Sequence, residues 1–162
     1  MGLDVQQLFE MSREQLDELF ANSPAGEIPK GQTNGTGLIA PGTVCTKEIA
    51  ECLRYAWQGK VFDAETGTLK NRISPLGVHG VTAKVYKGPS WHDNKECIIL
   101  DYSETSLVGR WVRDEMRLVG PDLYLGKVYL AKKPLPVHFA LEPAKAASDA
   151  PDEKTATLQA AR

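Results

Sequence analysis

Leu123-Tyr124-Leu125-Gly126-Lys127-Val128-Tyr129 follows Arg113-Asp114-Glu115-Met116-Arg117 across the turn Gly120-Pro121-Asp122, and Ile98-Ile99-Leu100 precedes both. These runs lie within Asn71–Leu141, which reads as consecutive strands divided by turn residues, with no helical interlude. A meander this compact curls into an antiparallel barrel or half-barrel, an architecture that often encloses one small ligand.

Working outward, the alternation predicts about seven strands: 60–64, 68–73, 78–86, 96–102, 107–119, 123–130 and 137–141. Glu65-Thr66-Gly67 is a short hairpin loop and Ser74-Pro75-Leu76-Gly77 a turn. The continuous apolar run in 96–102 implies burial on both faces, under the second of two N-terminal helices. A bend is expected near Gly109. Two N-terminal helices precede the strands. The first starts at Ser12, which forms a capping box with Gln15 and leads into Leu16, Leu19 and Phe20. A short turn of helix is expected before it, at Val5–Phe9. The second runs from Thr46 to Trp57 with Ile49, Cys52, Leu53, Ala56 and Trp57 on one face, and is expected to lie on the sheet or plug a barrel end. Residues 23–43 are rich in Gly and Pro, with Leu38-Ile39-Ala40 as one short strand candidate; the segment reads as a connector or a lid. Residues 1–142 form one barrel domain. Residues 143–162, with Leu158 as their only large apolar side chain from Pro143 onward, read as a disordered tail.

Composition excludes several classes. A net charge of -2 over 162 residues provides no basic field for nucleic acid. No apolar run is long enough to span a bilayer. Met1-Gly2-Leu3-Asp4 offers no basic region ahead of an apolar stretch, so the reading is cytoplasmic. Cys45, Cys52 and Cys97 form no C-x-x-C pair, and His79, His92 and His138 match no metal spacing, so neither a disulfide frame, a metal nor a cofactor is expected.

Asp114 is the sharpest candidate. Val112, Met116 and Leu118 share its face, which should point into the barrel. A carboxylate there must find a partner or give up its charge, so Asp114 is a candidate acid or base; the alternative is a structural hydrogen-bond acceptor. On the opposite face, Trp111, Arg113, Glu115 and Arg117 read either as an anion clamp or as a solvated face with Arg–Glu pairs. Trp57, Tyr86, Tyr102, Arg117 and Tyr124 are the candidate ligand-binding residues, combining apolar walls with hydroxyl and guanidinium donors; for the aromatics the alternative is plain core.

Ala56-Trp57-Gln58-Gly59-Lys60-Val61-Phe62-Asp63, Asn71-Arg72-Ile73, Lys84-Val85-Tyr86-Lys87-Gly88-Pro89-Ser90-Trp91, Asp101-Tyr102-Ser103 and the Arg113–Arg117 and Leu123–Gly126 runs resemble a family of small bacterial proteins with a lipocalin-like β-barrel. The resemblance spans roughly residues 12–142. It implies a fold and a bacterial origin, and supplies no reaction and no assigned functional residue. The expectation is therefore an α+β chain: an antiparallel lipocalin-like barrel or half-barrel with two N-terminal helices. The expected activity is binding of a small, largely apolar ligand, with a carboxylate-bearing lipid-like metabolite as one form. A small isomerase, cyclase or lyase using Asp114, and a protein-interaction module, are the alternatives.

Overall fold

The computed structural model describes residues 2–40, 42–44, 47–51, 56–73, 78–107 and 109–145. The strands are β1 (Gly31–Leu38), β2 (Trp57–Asp63), β3 (Thr68–Ile73), β4 (Val78–Pro89), β5 (Glu96–Asp101), β6 (Val112–Gly120), β7 (Leu123–Leu130) and β8 (Lys133–Pro143). Each pairs antiparallel with its neighbours in sequence, and β1 closes on β8, from Thr33 opposite Pro143 to Leu38 opposite His138. The barrel therefore has eight strands and is closed, where the sequence suggested about seven and left a half-barrel open.

The additional strand is β1, Gly-Gln-Thr-Asn-Gly-Thr-Gly-Leu, whose composition reads as loop. It is a strand because closure supplies backbone partners on both sides, to β2 and to β8, and a ladder needs no side-chain propensity. The long segment 23–43 thus supplies β1, and of the strand candidate Leu38-Ile39-Ala40 only Leu38 belongs to it. Its first part crosses one end of the barrel, where the Leu118 amide donates to Pro24 O at 2.9 Å and the Tyr124 hydroxyl to Glu27 O at 2.7 Å. Ala25, Phe62, Leu69, Tyr124 and Leu141 belong to the apolar core inside the barrel, with Leu118 and Ile28 packed against it.

A second core lies outside the barrel wall. Helices α1 (Val5–Phe9) and α2 (Arg13–Ala21) each begin with a capping box, Asp4–Gln7 and Ser12–Gln15. They bury Leu8, Leu16 and Phe20 against Leu38, Cys97, Ile99, Leu123, Leu125 and Ala140. Full burial stabilises by roughly 1.5–3 kcal/mol per large side chain. This layer explains the two-sided burial of β5: Ile98 and Leu100 face the barrel interior, while Cys97 and Ile99 face α1 and α2. The sequence assigned that cover to the second helix. That helix, α3, is described only over Lys47–Glu51; Leu53 lies outside the described residues, and Trp57 opens β2 instead of closing a helix. β6 starts at Val112, five residues later than expected, and β8 runs through Pro143. From residue 146 the expected tail lies outside the described residues.

Candidate functional site

β2 departs from strict alternation. Trp57 pairs with Ile73 and Gly59 with Arg72, so Gln58 is an extra residue without a partner. Gly59 has φ +135°, and a Cβ there would collide with Thr33 O. The bulge puts Trp57 and Lys60 on the same inward face, which alternation alone forbids. Across the pair, Asn71 and Ile73 point inward from β3. Tyr102 follows β5, and Asp114 points inward from β6 between Val112 and Met116.

These residues sit toward the end of the barrel opposite the Ala25–Tyr124 closure. A cavity of about 250 Å³ opens there. Trp57, Ile73, Val81, Val112, Val128 and Phe139 give it apolar walls, and Lys60, Asn71, Tyr102 and Asp114 form its polar floor. Trp57 and Phe139 pack edge to face, with ring centres 5.6 Å apart. Gly126 makes room for this arrangement, since a Cβ there would overlap the Phe139 ring.

The floor is a closed hydrogen-bond cluster. Lys60 Nζ donates to Asn71 Oδ1 at 2.9 Å, to the Tyr102 hydroxyl at 2.8 Å and to Asp114 Oδ2 at 3.0 Å. The Tyr102 hydroxyl donates to Asp114 Oδ2 at 3.2 Å. Asn71 Nδ2 donates to Tyr102 at 3.0 Å and to Val81 O at 3.0 Å, and Trp57 Nε1 donates to Asn71 Oδ1 at 3.2 Å. The rings of Trp57, Tyr102 and Phe139 surround the ammonium at 5.3–5.5 Å. Lys60 is only 3% exposed. Burial penalises its charge, but Tyr102 and Asp114 beside it outweigh that penalty and hold its pKa above the ordinary lysine value. Burial, and then the Asp114 charge, push the Tyr102 phenol up to about 12 against the opposing pull of Lys60.

Of the residues singled out from sequence, Asp114, Trp57 and Tyr102 meet in this cavity. Three do not. Tyr86 is on the outer wall, 41% exposed, and donates to Asp101 Oδ2. Tyr124 points inward at the closed end, where its hydroxyl is held by Glu27 O. Arg117 lies on the outer face of β6 in a bidentate pair with Asp93, at 2.8 and 2.7 Å, with further bonds to Phe20 O, Lys95 O and Glu96 O. That face is solvated only at Trp111, which is exposed; the expected Arg–Glu pair forms between Arg113 and Glu115, and Arg117 is taken up by Asp93 of the same chain. Glu115 is buried, bonded by Ser90, the Trp91 amide and Arg113, because α2 and the 90–95 loop cover this part of the wall. His138 faces outward and bonds Asp17 Oδ1 at 2.8 Å; Lys127 Nζ reaches the same oxygen at 2.6 Å and His92 Nδ1 at 3.2 Å. The His79 side chain lies outside the described residues.

Lys60, Asn71 and Phe139 escaped the sequence reading. A signal existed for two of them: Lys60 shares a face with Phe62, and Asn71 shares one with Leu69 and Ile73. A polar residue in an inward set is the same signature that singled out Asp114. The bulge that adds Trp57 to that face left no trace except a glycine.

No protein-family model and no curated protein matches the chain. A crystal structure of a protein from Thermomonospora curvata superposes with a TM-score of 0.60 at 18% identity, over 87% of this chain and 93% of that one. At that identity the likeness extends to the fold. No helix among the described residues is long and apolar enough to cross a membrane.

Proposed function

We propose that the barrel binds one small, largely apolar molecule, admitted at the open end and seated on the Lys60–Asp114 floor. The observation that carries this reading is the cavity of about 250 Å³ with apolar walls and a single polar patch. An engineered apolar cavity of about 150 Å³ takes up benzene, so this one has room for a somewhat larger molecule. An eight-stranded barrel is of the size that holds one small ligand, as lipocalins do. The bacterial, cytoplasmic setting read from the sequence belongs to the same proposal.

The isomerase, cyclase or lyase reading finds less support. Lys60 and Tyr102 are shifted away from neutrality, and each donor in the cluster is bonded to a neighbour. A general acid or base works best with a pKa near the operating pH. Native mass spectrometry of freshly purified protein tests the binding reading. It should show a small adduct that denaturation releases and that Val112→Phe, which fills the cavity, does not retain. No adduct in wild type, with no rise in melting temperature under saturating p-menthane, would sink it.

A further inference from the structure

We infer that the cavity selects a neutral ligand carrying a hydrogen-bond donor, an apolar alcohol or phenol, and that Asp114 Oδ1 is its one polar anchor. This rests on the binding reading above and names the ligand class. It follows from an inventory of bonds. A lysine ammonium has three donors, and all three are engaged, by Asn71, Tyr102 and Asp114. The Tyr102 hydroxyl accepts from Lys60 and Asn71 and donates to Asp114. Both donors of Asn71 are engaged, by Val81 O and Tyr102, and its oxygen accepts from Trp57 and Lys60. The floor therefore has no donor left to offer.

Asp114 is different. Oδ2 accepts from both Lys60 and Tyr102, and no described residue donates to Oδ1. Among the described residues no sealed side-chain polar atom lacks a partner, and the Asp114 side chain keeps 9% of its surface while lining the cavity. Oδ1 is thus turned to the cavity, a charged acceptor without a partner among the described residues. A carboxylate ligand would bring like charge against it with no donor in reach, so the carboxylate-bearing metabolite expected from sequence fits poorly. A ketone or ester would set acceptor against acceptor. An amine would place a second cation beside the buried Lys60 ammonium. A hydroxyl donates to Oδ1 at no electrostatic cost.

The test is calorimetric titration with the matched trio menthol, menthone and p-menthane, on wild type and Asp114→Asn. A hydrogen bond to a charged group predicts that wild type binds menthol at least about tenfold tighter than the other two. In Asp114→Asn, Lys60 and Tyr102 still donate, so the amide oxygen must turn to them and the NH₂ to the cavity. Menthone should then gain affinity and menthol lose its advantage over it. If the three bind wild type equally, or menthone binds best, the inference falls while the binding reading stands. If none binds, both fall. The wild-type trio decides the question even if Asp114→Asn fails to fold.

Discussion

Lys60→Met removes the ammonium while keeping an unbranched side chain of similar reach. Lys60 is 3% exposed and holds three hydrogen bonds of 2.8–3.0 Å. The Asp114 carboxylate would be left beneath the cavity with Tyr102 as its one remaining partner. Breaking one side of a buried ion pair costs about 3–5 kcal/mol. For a chain of this length, at about 2–4 °C per kcal/mol, the melting temperature should fall by roughly 6–20 °C. Asp114→Leu, which strands the ammonium instead, should cost a comparable amount. The double variant should recover most of the loss, because exchanging a buried pair for apolar side chains is often neutral or stabilising. Asn71 Nδ2 still donates to the Tyr102 hydroxyl in it, at 3.0 Å. Urea unfolding of the four proteins, read as midpoint and slope, gives the coupling directly. A loss below about 1 kcal/mol for Lys60→Met, or single-variant losses that simply add in the double, would mean that the floor is hydrated and the pair contributes little.

Gly126→Ala would drive a Cβ into the Phe139 ring and force it from the cavity wall. It should cost about 1–3 kcal/mol and weaken p-menthane binding, and a variant unchanged in both urea midpoint and binding would refute the ring placement. Stability should also fall in acid. Burial raises the Asp17 carboxyl, but hydrogen bonds from His138 and Lys127, with their charges, prevail and hold it well below the usual carboxylate range. Its folded pKa thus lies under the unfolded value near about 3.9, so its contribution is complete above that pH and is lost as pH falls below it. The Arg117 hydrogen bonds hold Asp93 at about 2 and add to the same window. Asp17→Asn should therefore be less stable than wild type at neutral pH, with the gap closing as pH drops below about 4; parallel stability–pH curves would remove the Asp17 cluster from the account.

The barrel was legible from residue 60 onward because short apolar or alternating runs recur there between turn residues, which is the pattern of successive strands. β1 was illegible because its role requires almost no side chain. Gly35 shows why: a Cβ there would collide with the Trp57 indole, so the composition that makes β1 look like a loop is what admits an aromatic wall to the barrel. Asp114 was found because one carboxylate among Val112, Met116 and Leu118 is conspicuous, and its need for a partner was readable from desolvation alone. Which partner was not, since Lys60 and Asp114 are 54 residues apart and meet only through closure. Arg117 failed for a related reason. The alternation placed it correctly outside, but nothing local to β6 reports that α2 and Asp93 cover that side.

Stability alone does not require the cluster on the floor, since exchanging a buried ion pair for apolar side chains of similar volume is often neutral or stabilising. What it adds is a fixed polarity. Four polar side chains from four different parts of the wall satisfy one another until a single carboxylate oxygen is left over, and strands on both sides hold that oxygen in place. A site on strands is positioned more tightly than one on loops. The charge of Lys60 keeps Asp114 paired, and the ring cage keeps Lys60 from leaving. Folding and recognition should then separate in Lys60→Met/Asp114→Leu. That variant should keep its barrel and still take up p-menthane, because the apolar walls are untouched. It should no longer distinguish menthol from p-menthane, because the leftover acceptor is gone. Continued preference for menthol in the double variant would show that the hydroxyl is read elsewhere in the cavity.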